Sequence, residues 1–114
     1  VSLSRLPDEF VQSLLDNLDT KGKVYARRKA ERTGLEEERK ITKNELMNVA
    51  EAEDVRTITK QERFAYSHPT YRAIVTRLIK AVEEEALAEY ELKLIDMQFE
   101  AWRTINANER AASR

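Results

Sequence analysis

Residues 67–104 read SHPTYRAIVTRLIKAVEEEALAEYELKLIDMQFEAWRT, and no glycine or proline follows Pro69 as far as Arg114. Ser67 at a cap position and Pro69 inside the first turn are start signals for a helix. From there Ile74, Leu78, Ala81, Glu85, Ala88, Leu92, Ile95, Phe99 and Trp102 recur in alternating steps of four and three. That rhythm describes one continuous seam, and it predicts a long helix over 67–112, roughly 60 Å at 1.5 Å per residue. Leu87, Tyr90, Leu94, Met97 and Ala101 form a second apolar row beside the first. Two adjoining rows require partners on more than one side, and large apolar patches are uncommon on soluble monomers.

The rest of the chain offers less to cover these rows. Pro7 at a first helical position, followed by Asp8 and Glu9, favours the positive end of a helix dipole. The stripe Val11, Leu14, Leu15, Leu18 and Tyr25 carries this first helix across Gly22, with a break at Asp19-Thr20-Lys21-Gly22 as the alternative, and Thr33-Gly34 reads as its end, giving a helix over 7–33. Residues 34–66 read as short helices and connectors, the charged run from Leu35 to Lys40 being either a helical continuation or a loose linker. Thr42 and Glu45 have capping-box spacing with Ile41 able to staple to Leu46, so a short helix is predicted from about Lys43 to Glu53. Val55-Arg56-Thr57-Ile58-Thr59 is β-branched and suits an extended segment; Thr59 and Glu62 repeat the capping spacing before a helical turn. Phe64, Tyr66 and Tyr71 are expected in the core at the bend, ringed by Arg63, Arg72, Arg77 and Lys80.

Within 114 residues this predicts one all-α domain over 1–114, a helical hairpin-like protomer with one long C-terminal helix. The first helix is too sparse to cover both rows, so a homo-oligomer is expected, joined through Leu78, Leu92, Ile95, Phe99 and Trp102. Only two Gly and two Pro argue against an all-β domain. No run of roughly 18 apolar residues occurs, so no membrane span or membrane partner is expected. The absence of cysteine makes a reducing, cytoplasm-like compartment the default.

No constellation for catalysis stands out. The sole histidine, His68, precedes Pro69 at a helix start, where capping or exposure is its expected role, and one histidine without cysteine makes no metal cluster. Neither isolated glycine belongs to a phosphate loop. The reading is therefore a non-enzyme, with no cofactor and no metal.

Charge is segregated along the chain. Between residues 20 and 34, Lys21, Lys23, Arg27, Arg28, Lys29 and Arg32 face Glu31 alone, whereas between 83 and 100 seven acids face Lys93 alone. On a helix Lys21, Tyr25, Arg28 and Arg32 share a stripe with Lys23 and Arg27 flanking it. Such a stripe has two readings. Its cations can track the phosphates of a single strand while Tyr25 stacks on a base. They can equally pair with the acidic rows of a neighbouring helix or subunit, as in a structural or adaptor protein.

The segments Tyr66-Ser67-His68-Pro69-Thr70-Tyr71-Arg72 and Phe99-Glu100-Ala101-Trp102-Arg103-Thr104, together with the layout of residues 14–114, resemble the UvsY-like recombination mediators of tailed phages. The resemblance implies a helical homo-oligomer in the host-cell cytoplasm that binds single-stranded DNA. Its implied partners are a RecA-like recombinase, which it helps to load, and a single-strand binding protein. Ala26-Arg27 matches the Ala-Arg pair of that family's DNA-binding run, which carries the DNA-binding role onto Arg27.

Overall fold

A computed structural model describes residues 8–113, and among them the regular structure is helix without strand: α1 (Asp8–Ala52), α2 (Ile58–Ser67) and α3 (Pro69–Ala112). The all-α class and the long C-terminal helix are those predicted. The expectation at Pro7 lies outside the described residues. The chain divides into two compact units, one joining the residues up to Arg27 with those from Ala86 onward, the other spanning Arg28–Glu85.

The first unit packs the seam of α3 against α1. Leu14, Ala88 and Ile95 are buried; Val11, Leu18, Leu92, Phe99 and Trp102 are half-buried. Four of the five residues expected to join subunits lie in the two sets just named, Ile95 in the first and Leu92, Phe99 and Trp102 in the second. The fifth, Leu78, is half-buried in the second unit. Their apolar surface is consumed largely within the chain, and the row left outward is the second one.

The second unit contradicts the expected helix boundaries. α1 does not end at Thr33-Gly34 and does not restart at Thr42; it runs through both. A glycine ends a helix by adopting positive φ, and no glycine here does. On either side of Gly34, ion pairs tie α1 to α3: Arg28 to Glu84 at 3.0 Å and Glu38 to Arg77 at 3.6 Å. Inside a continuous helix the amides that a Thr42 cap would serve are already bonded to the preceding turn, so the capping spacing has nothing to satisfy.

The true end of α1 follows from its backbone bonds. Val55 N–H donates to Ala50 O at 3.0 Å and Asp54 N–H to Glu51 O at 3.1 Å, with Asp54 in the left-handed region at φ 70°. This is a Schellman closure with aspartate where glycine is usual. Thr57, in extended conformation, caps α2 by accepting from Lys60 N–H at 3.3 Å, two residues before the expected cap at Thr59. The buried Gln61 amide donates to Val55 O at 2.8 Å and anchors the connector.

Ser67 does not cap α3. Its hydroxyl donates back to Arg63 O at 2.7 Å, and the cap is His68, whose Nδ1 accepts from Thr70 N–H at 3.1 Å. Pro69 forces the preceding residue to be extended, which suits a cap, and then supplies the first helical residue.

Two exchanges of opposite sense test this backbone account. A Cβ added at Gly34 meets nothing within 4 Å, so Gly34→Ala is expected to stabilise by about 1 kcal/mol. Asp54→Gly removes left-handed strain and is expected to gain about as much. Thermal melts followed by circular dichroism should show both midpoints rising; a fall for Gly34→Ala would mean that α1 is not continuous there.

Candidate nucleic-acid interface

A phosphate is held best by cations that reach solvent and are not already neutralised. In the first unit the basic stretch contributes Lys21, Lys23, Tyr25 and Arg27. Lys21 Nζ lies 3.0 Å from Glu91 of α3, and Lys23 Nζ lies 3.0 Å from Asp19 one turn earlier. Tyr25 is half-buried. Arg27 is exposed and makes no ion pair among the described residues.

In the second unit, Arg28 pairs with Glu84 at 3.0 Å and with Glu31 at 3.2 Å. Arg32 donates to Glu85 and to Glu36, and these bonds hold its guanidinium well above the ordinary arginine value despite partial desolvation. Lys29 is exposed and unpaired among the described residues. The stripe of Lys21, Arg28 and Arg32 therefore turns toward the acids of α3, and a phosphate there would have to displace carboxylates.

A different cluster, lying wholly in the second unit, sets cations unpaired among the described residues around an exposed aromatic ring, with Arg63 and Arg72 exposed and Arg39 and Lys43 half-buried. Tyr66 is 43% exposed rather than core, and its ring sits 5.3 Å from that of buried Tyr71 at an interplanar angle of 57°. Lys43 Nζ lies 5.0 Å from the Tyr66 ring centroid, a cation–π geometry. Arg39 Nη1 donates to the Tyr71 hydroxyl at 3.2 Å. Two open hollows border Tyr66, one of about 450 Å³ lined with Arg63 and also with Glu62, the other of about 310 Å³ lined with Arg72 and Tyr71.

Among the described residues Arg39, Lys43, Arg63 and Arg72 form no ion pair, and Glu36 and Glu62 act on Arg39 and Lys43 only at longer range. Contact with the Tyr66 phenol raises Lys43 above its usual value, and the Tyr71 hydroxyl does the same for Arg39. Both stay cationic at neutral pH.

No family model, curated protein or solved structure matches the chain. The site therefore rests on its own chemistry. Among the described residues no three His, Cys, Asp or Glu side chains gather to hold a metal, and no helix is long and apolar enough to cross a membrane.

Sequence reasoning named Arg63 and Arg72 near the aromatic trio but missed Arg39 and Lys43. The signal for them is their four-residue spacing on one face of α1. Splitting the chain at Gly34 and again at Thr42 assigned them to different elements.

Proposed function

We infer that the protein is a non-enzymatic, homo-oligomeric accessory protein that binds single-stranded DNA. Bases stack on Tyr66, and phosphates are held by Lys43, Arg63 and Arg72. The observation that supports this most is an exposed aromatic ring flanked by cations that form no ion pair among the described residues. Stacking on an aromatic face is tolerant of sequence, and phosphate contacts release counterions, so affinity depends on salt more than on sequence. Arg27 and Lys29 add positive charge, each within its own unit. Helping a RecA-like recombinase to load on DNA covered by a single-strand binding protein is the role this activity would serve.

Fluorescence anisotropy with a labelled oligothymidylate tests the reading. Tyr66→Ala is expected to weaken binding about tenfold, the scale of one lost stack. Three phosphate contacts predict a slope of about −2 in log affinity against log salt. Arg63→Ala/Arg72→Ala should flatten that slope, whereas Arg28→Ala, whose side chain is paired with Glu84, should affect binding less.

A second reading is favoured by the ion pairs Lys21–Glu91, Arg28–Glu84 and Arg32–Glu85. In it the chain is a helical adaptor whose basic and acidic segments serve packing and assembly. Absence of binding at low salt would leave this reading standing and defeat the first.

A further inference from the structure

In the first unit, α3 carries a face that its own chain leaves open. Leu87 (58% exposed), Tyr90 (58%), Leu94 (41%), Met97 (65%) and Ile105 (40%) lie with exposed Ala101 about 130° around the helix from the buried seam. Such side chains present on the order of 500 Å² of apolar surface, the upper range for a monomer. Steps of three, four, three and four from Leu87 to Ala101 make this face a second heptad seam, with Leu87, Leu94 and Ala101 in one position and Tyr90 and Met97 in the other.

We propose that this face docks the same face of a second copy, with the two α3 helices antiparallel and Tyr90 of each chain opposite Ala101 of the other. The proposal rests on the reading of the chain as self-associating and adds its orientation and register. Size and charge select them. With Tyr90 on Ala101, a large side chain meets a small one, and Leu94 meets Met97.

The flanking charges then alternate in the right sense. Alone, Lys93 pairs with Glu89 at 3.5 Å and Arg103 with Glu100 at 2.9 Å, both on the same exposed flank. In the antiparallel register Lys93 comes beside Glu100 of the second copy, the two residues bordering the face on the same side. The dyad repeats this pair. A slip by one heptad toward Leu87 would put Lys93 beside Lys93. A parallel pair would stack Tyr90 on Tyr90 and leave a gap between the two Ala101 residues. Two such faces bury on the order of 1,000 Å², the lower limit of specific interfaces, so association in the micromolar range is expected.

The chain has no cysteine, which makes disulfide mapping direct. Tyr90→Cys alone and Ala101→Cys alone should not cross-link, because each thiol sits about 16 Å along the axis from its own copy in the antiparallel register. The double variant Tyr90→Cys/Ala101→Cys, or the two single variants mixed, should cross-link under mild oxidation. Efficient cross-linking of either single variant would overturn the antiparallel register. An associating wild type with none of these cross-links would move the contact to another face. A wild type that light scattering finds monomeric at tens of micromolar would defeat self-association itself. Lys93→Glu should raise the dissociation constant about tenfold, and Lys93→Glu/Glu100→Lys should restore it; no rescue would overturn the assigned charge pairing.

Discussion

Ile95→Ala is expected to destabilise the protein by about 3 kcal/mol, whereas Leu94→Ala, one residue earlier, costs less than about 1 kcal/mol in dilute solution. The two side chains are similar in size and differ in what surrounds them. Ile95 is 4% exposed in the seam beside half-buried Leu92, Phe99 and Trp102, and its removal opens a cavity that helix backbones cannot close. Leu94 points outward. Urea titrations followed by circular dichroism separate the cases, and equal losses would mean that the two rows of α3 have been assigned to the wrong sides. On the proposed pairing of two α3 helices, association would stabilise the folded state by mass action, and the cost of Leu94→Ala should then grow with protein concentration. That of Ile95→Ala should not depend on concentration in the same way.

Tyr71→Ala is the second large effect, again about 3 kcal/mol, now in the unit formed by Arg28–Glu85. Tyr71 is buried beside Tyr66, and its hydroxyl accepts the Arg39 hydrogen bond. Tyr71→Phe keeps the ring and loses only that bond, so its cost should be about 1 kcal/mol. The pair of substitutions also divides fold from site. Tyr71→Phe should leave oligothymidylate binding within about twofold, while Tyr66→Ala should weaken binding with little change in the melting midpoint. If Tyr71→Phe weakened binding as much as Tyr66→Ala, the stack would not be confined to the exposed ring.

α3 was legible because its signals agree: a proline at the start, no later interruption, and a three-and-four rhythm in which every seam position from Ile74 to Trp102 is buried or half-buried. α1 was not, because the local stop at Thr33-Gly34 is worth only about 1 kcal/mol and packing along α3 outweighs it. The same balance hid the start of α2. Thr57 and Thr59 both offer a hydroxyl, and the anchored Val55 carbonyl favours the earlier one.

The charge segregation was plain in the sequence, yet the sequence left open which cations face acids. That depends on the register between α1 and α3 in each unit, which places Glu84, Glu85 and Glu91 beside Arg28, Arg32 and Lys21. Glu85 interrupts an otherwise apolar seam for that reason. Tyr66 illustrates the converse. Aromatic character suggested core, but its neighbour Tyr71 occupies the buried place and leaves Tyr66 at the surface.

The only tryptophan, Trp102, belongs to the first unit, whereas Tyr66 and Tyr71 belong to the second. Indole emission therefore watches one unit melt while amide ellipticity watches both. Superimposable curves would mark a single cooperative transition, and curves that part company would reveal two, with no label attached and no residue replaced.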